Sequence, residues 1–222
     1  MIRKLSVLDW RAVILPYRLA FLIYPLTVFF VGFATSQMLV VPFSAWLALT
    51  YSTNPFFAEE KGQLNNLFLT LPVTRRQIVS ARYIFSLVSL AVGLCVGFAV
   101  MPVVRYFSNS QWFFSTEGCV AIAAVSVLSF AVFSLLQFPL LFNLGYQRGK
   151  VWGLYLPAVV FGVVLIVYNL HMMLGSRNIT LEFLVFANDN MLLVSGGLFA
   201  LAAVVMVVSY KLSVRAYSRR GF

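Results

Sequence analysis

Six stretches of about twenty mainly apolar residues, none with Asp, Glu, Lys or Arg in its interior, constrain this chain more than any other feature. They run Leu19–Thr35, Leu39–Phe57, Tyr83–Val104, Gly118–Phe138, Val151–Met173 and Met191–Tyr210. A helix crossing the hydrocarbon core needs about 20 such residues, because each adds roughly 1.5 Å of rise. The expected fold is therefore an all-α polytopic membrane protein with six transmembrane helices. Pro25 interrupts the first span, which a bundle tolerates when neighbours satisfy the freed carbonyl. Composition agrees: 62% of residues are hydrophobic and 10% charged, too little charge to cover a water-facing surface. The 222 residues suffice for a single transmembrane domain, 1–222, without an additional soluble one.

The placement of charge orients the spans. Arg3, Lys4, Arg11 and Arg18 precede the first; Lys61, Arg75, Arg76 and Arg82 lie between the second and third. Arg148 and Lys150 follow the fourth, and Lys211, Arg215, Arg219 and Arg220 follow the sixth. Those fourteen of the sixteen basic residues fall on one side, leaving Arg105 and Arg177 opposite. By the positive-inside rule both termini are cytoplasmic, and the expected location is a bacterial cell (inner) membrane. The net charge of +10 thus reflects topology rather than nucleic-acid binding. The first apolar stretch is followed at once by a second, which predicts an uncleaved insertion signal. Asn178-Ile179-Thr180 matches a glycosylation sequon, which carries no meaning in a bacterial setting. Cys95 and Cys119 are expected to act as small buried hydrophobes, and one His with two separated Cys makes no four-ligand metal site.

Two segments outside the spans carry pattern. In residues 1–17, Leu5, Leu8, Ala12 and Leu15 recur at helical steps, with Arg3, Lys4 and Arg11 beside them and Trp10 and Tyr17 suited to interfacial depth. This predicts an amphipathic interfacial helix, either a plain anchor or an elbow that docks partners. The second segment follows span two. Leu64, Leu67, Phe68 and Leu71 repeat at i, i+3, i+4 and i+7, with Gln63, Asn65, Asn66 and Thr70 elsewhere. Pro72 stops that helix, and Thr74 with Gln77 forms a capping-box pattern that starts the helix leading into span three. The short helix either rests on the membrane surface or inserts into a groove on a cytoplasmic partner.

The residues Glu59-Glu60-Lys61, Leu71-Pro72-Val73-Thr74-Arg75 and Ile78-Val79 resemble the intracellular loop of permeases in the ABC type-2 exporter family. The run Pro139–Lys150, with Gly145-Tyr146-Gln147-Arg148-Gly149-Lys150 at its end, is similar to that family's loop after the fourth span, although Asn143-Leu144 stands where many relatives place a Lys. The resemblance covers the whole chain. It implies a half-transporter: two permease chains, identical or related, seated on two cytoplasmic ABC ATPase subunits, which would bind ATP and Mg. Residues 59–80 would be the cytoplasmic coupling loop. Within it Glu59, Glu60, Lys61, Gly62, Leu64, Leu67, Phe68, Leu71, Pro72 and Arg75 would meet the ATPase, with Tyr146, Arg148 and Lys150 in a second cytoplasmic loop. The sequence itself contains no G-x-x-x-x-G-K-[ST] phosphate loop, so no ATP site of that kind is expected in this chain, nor any cofactor of its own.

Other classes fit less well. A secondary transporter normally keeps an ionisable group inside the membrane, at an insertion cost of roughly 2.5–3.5 kcal/mol, and these span interiors have none. A membrane enzyme would need a nucleophile, paired carboxylates or a metal cluster, whereas Glu117, His171, Glu182 and Asp189 are scattered without motif spacing. A non-transporting structural or immunity-type membrane protein stays open, since fold analogy alone does not establish function. Gly93, Gly97, Gly162, Gly196 and Gly197 suit close helix approach, either between two chains or within one. Residues Ile179–Phe186 could form a short outer interfacial helix. The uncharged, aromatic-rich interior favours an amphipathic peptide, lipid or lipophilic compound as cargo.

Overall fold

The computed structural model describes residues 18–34, 37–61, 74–108, 115–150 and 190–219, together with positions 155, 159, 162 and 163. Among these residues the regular structure is helical, with no strand. The helices are α1 (Arg18–Ala34), α2 (Gln37–Tyr51), α3 (Asn54–Lys61), α4 (Arg75–Ser108), α5 (Thr116–Lys150) and α6 (Met191–Arg219). The expected interfacial helix, the segment 62–73 and nearly all of the fifth apolar run lie outside the described residues.

Three helices, α4, α5 and α6, are long and apolar enough to cross a membrane, and Ile23–Ala34 is a shorter apolar helix. At 1.5 Å per residue the 34 residues of α4 span about 51 Å, well beyond a hydrocarbon core of about 30 Å. Its first turns, and the last turns of α5 and α6, hold most of their basic residues, with Arg105 alone at the far end of α4, so the helices project past the apolar layer at one shared end. That end is called the basic end below.

One expected span is not a single helix. The run Leu39–Phe57 breaks after Tyr51 at a turn formed by Ser52 and Thr53, and α3 begins anew at Asn54. Pro55 has no amide hydrogen to offer the preceding turn, and its ring excludes the carbonyl four residues back. The two hydroxyls take up carbonyls instead: Ser52 Oγ donates to Leu49 O at 2.6 Å and Thr53 Oγ1 to Thr50 O at 2.7 Å. At the start of α4 the capping box forms as its pattern predicts. Thr74 N donates to Gln77 Oε1 at 3.1 Å, and Gln77 N to Thr74 Oγ1 at 3.4 Å.

The helices pack through small residues. Ser44 Oγ of α2 donates to Gly93 O of α4, and the Tyr24 hydroxyl of α1 donates to Ser44 O at 2.6 Å. A Cβ on Gly93 would lie 2.8 Å from Ala48 Cβ, and one on Gly97 would lie 3.1 Å from Val41 Cα. These two glycines therefore serve a crossing inside the chain. Gly162, Gly196 and Gly197 face open space. On α6 the buried stripe is Ser195, Ala202, Ser209, Ser213 and Tyr217, and it lies along α5, where Ser209 Oγ donates to Ser134 O at 3.1 Å. Such hydroxyl and small-residue contacts replace the hydrophobic drive that lipid does not supply. The cysteines depart from expectation: Cys95 is exposed and Cys119 partly so, because both lie on helix faces turned away from these crossings.

Replacing Gly93 with Leu should lower stability by about 1–3 kcal/mol, since the new side chain must displace Ala48 and the Tyr24 hydroxyl. Thermal unfolding in mild detergent reads this, with Gly196→Leu as a comparison expected to change little. Equal melting temperatures for both variants would contradict the packing described.

Candidate functional site

The basic end of the bundle gathers residues that the sequence leaves far apart. Glu59, near the end of α3, and Arg82, two turns into α4, form an ion pair: Arg82 Nη2 donates to Glu59 Oε2 at 2.9 Å. Both are buried, the side chains 10% and 3% exposed. The guanidinium also lies over the Phe56 ring, with Cζ 5.0 Å from its centroid. Phe56 in turn stacks near Phe138 and meets Phe142 edge-on at 4.9 Å between ring centres. An aromatic floor thus excludes water beneath the pair, which strengthens it and makes the loss of either partner costly.

Glu60 does something different. Its Oε2 accepts the backbone amide of Gln147 at 2.9 Å, tying α3 to the end of α5. That amide is available because α5 breaks at Gly145, whose φ of 77° belongs to the left-handed region. The chain then folds back, so that a Cβ on Gly149 would sit 3.2 Å from Leu141 Cα. Eight residues of continuous helix would separate those positions by about 12 Å. Tyr146, carried round by the break, packs edge-on against Phe57 at 5.3 Å. A cavity of about 200 Å³ opens here, lined among others by Phe56, Glu59, Glu60, Phe142 and Tyr146.

Arg75 closes the third side. Its Nη1 donates to the carbonyls of Ser218 at 2.8 Å and Tyr217 at 3.2 Å, binding the last turn of α6 to the first turn of α4. Further in, the Tyr83 hydroxyl bonds Ser209 Oγ at 2.7 Å and Ser213 Oγ at 2.8 Å. The ends of α3, α4, α5 and α6 are therefore bonded into one platform.

Of the residues singled out by the sequence, Glu59, Glu60 and Arg75 enter this platform through bonds, and Tyr146 through ring packing. Lys61 ends α3 and Lys150 ends α5, while Arg148 is exposed beyond the break. Gly62, Leu64, Leu67, Phe68, Leu71 and Pro72 lie outside the described residues. The sequence reading missed Arg82 as the partner of Glu59, Phe56 as its cover, and the Gln147 amide. Opposite charges at the facing ends of consecutive spans could have suggested the first, and the Asn-Leu-Gly-Tyr string the break. Among the described residues no group of three His, Cys, Asp or Glu side chains could hold a metal. Glu117 is exposed at the first turn of α5, at the opposite end of the bundle.

Glu59→Gln or Arg82→Gln should each cost about 3–5 kcal/mol, because either strands a buried charge. Replacing both, as Glu59→Leu with Arg82→Met, should restore much of that loss. Chemical or thermal unfolding in detergent measures all three, and single variants as stable as the parent would contradict burial of the pair.

A comparison with curated proteins finds none that matches this chain. A comparison with protein families matches residues 10–218 to the ABC-2 family transporter protein, a span that takes in every described helix apart from the final residue of α6. The family's members are membrane transport components that work with an ABC ATPase and are not catalytic themselves. By a match over nearly its full length, the chain belongs to the ABC-2 transporter family, as a membrane permease component.

Proposed function

We propose that this protein is the permease half of an ABC exporter, driven through the segment 62–73 by ATP hydrolysed in separate subunits. The observation that carries the reading is the platform at the basic end. The segment 62–73 leaves α3 just after Glu59 and Glu60 and enters α4 just before Arg75 and Arg82. Each flank is bonded to another helix, through the Glu59–Arg82 pair, the Glu60–Gln147 bond and the Arg75 bonds to α6. A push on a segment held this way moves the attached helices together instead of bending a slack loop. Leu64, Leu67, Phe68 and Leu71 supply the apolar face such a segment needs to seat in a partner's groove.

Orientation and span number follow the same line. The basic end faces the cytoplasm, where the ATPase is found, by the positive-inside rule. α5 and α6 run in the same direction, since Ser134 meets Ser209 and Phe142 meets Tyr217. α5 thus ends at the basic end and α6 begins at the opposite one, which supports a further crossing between them and six spans in all. Two such chains, identical or related, form the path, each with one ATPase. The cargo is an amphipathic peptide, lipid or lipophilic compound.

A proton- or ion-coupled carrier is disfavoured by the described helices. Their buried charged residues are Glu59 and Arg82, which neutralise each other at the basic end and leave no carboxylate poised in the apolar layer.

Affinity purification in mild detergent tests the proposal. A stoichiometric P-loop ATPase should accompany the chain and be lost from the variant Leu67→Ala with Phe68→Ala. A chain that purifies without any ATPase, from cells that express one encoded beside it, would sink the reading.

A further inference from the structure

A second feature of the basic end stands apart from the coupling platform. Arg76 of α4 and Lys211 and Arg215 of α6 converge on a cavity of about 410 Å³, completed by Tyr210, Val214 and Ser218. All three cations are exposed, and none of them meets a carboxylate among the described residues. The described carboxylates are Glu59, Glu60 and Glu117; the first bonds Arg82, the second bonds the Gln147 amide, and the third is at the far end of α5. Like charges would drift apart if the helices were free to do so. They are not, because Arg75 is bonded to the Tyr217 and Ser218 carbonyls and Ser80 Oγ lies 3.0 Å from the Tyr210 hydroxyl. The cluster is held together by the fold, and no carboxylate among the described residues balances it.

What lies above the cluster identifies the occupant. On α6 the exposed face runs Val204, Val207 and Val208 directly into Lys211 and Arg215; on α4 it runs Ile84, Leu87 and Val88 away from Arg76. Two apolar strips therefore begin where the cations end. A free anion has no use for such strips, and an acidic protein surface could not follow them into the apolar layer. A phospholipid matches both parts, with its phosphate among the cations and its acyl chains along the strips.

We propose that the cavity between the ends of α4 and α6 binds the phosphate of an anionic phospholipid, of the phosphatidylglycerol class, from the membrane leaflet at the basic end. This goes beyond the transport reading and needs only that the helices span a bilayer. Arg76, Lys211 and Arg215 form the headgroup seat; Tyr210 and Ser218 line it.

Native mass spectrometry of the full-length protein released from detergent tests this, after incubation with phosphatidylglycerol or with phosphatidylcholine of the same acyl chains. Phosphatidylglycerol should be retained in preference to phosphatidylcholine. Its affinity should fall about five-fold for each of Arg76→Gln, Lys211→Gln and Arg215→Gln, and roughly a hundred-fold for the three together. Arg215→Lys, which keeps the charge, and Arg105→Gln, at the opposite end, should retain it. Equal retention of the two lipids, or phosphatidylglycerol adducts that survive the triple substitution, would overturn the proposal. Inorganic phosphate that binds to the lipid-free protein and displaces phosphatidylglycerol would instead reveal a free-anion site, also overturning it. If the triple variant does not fold, the Lys211→Gln and Arg215→Lys pair decides: unequal lipid affinity in the predicted order supports the site, and equal affinity refutes it. Loss of ATPase co-purification with unchanged lipid binding would assign the cations to the protein partner.

Discussion

The ion pair between Glu59 and Arg82 is the interaction around which the basic end is built. A carboxylate and a guanidinium taken out of water at the margin of a bilayer survive together or not at all, because either one alone would be stranded among Phe56, Phe138 and Phe142. That constraint fixes the register of α3 against α4. With the register set, Glu60 faces the Gln147 amide, and Phe57 faces Tyr146. The break at Gly145 is needed for the same reason, since an unbroken helix would bond its amides internally and offer none to Glu60.

The two parts of the bundle use different glue. Toward the opposite end, α1, α2 and α4 meet through Tyr24, Ser44, Gly93 and Gly97, where short side chains let backbones approach and one serine bonds a main-chain carbonyl. Toward the basic end a buried ion pair is added to ring contacts of Tyr83, Phe142, Tyr210 and Tyr217, whereas at the opposite end rings such as Phe29 and Phe107 meet without charge.

Much of this was legible in the sequence. The charge-free runs that became α4, α5 and α6 are long enough that no alternative structure competes in lipid, and the Thr74–Gln77 box is a local pattern needing only its own four residues. Features that depend on distant partners were not legible. Glu59 and Arg82 could each have been a solvated interfacial charge, and nothing local says that Phe56 covers them. The glycines at 93 and 97 fitted an interface between chains as well as one within a chain, and only the neighbouring Ala48 and Val41 decide it. The break at Ser52 and Thr53 was passed over because neutral hydroxyl residues do not interrupt an apolar run, even with Pro55 beside them. The headgroup cavity joins residues from opposite halves of the chain, beyond the reach of any spacing rule.

Everything proposed for the bonded, basic end of the bundle requires that it face the cytoplasm, where an ATPase can act on it. The most direct measurement is labelling of single cysteines by a membrane-impermeant maleimide in intact and permeabilised cells, with Cys95 and Cys119 first replaced by Ser. Ser218→Cys, at the basic end, should react only after permeabilisation, and Thr116→Cys, at the other end, should react in intact cells. The reverse pattern would place the platform outside the cell and contradict the proposal that an ATPase seats there.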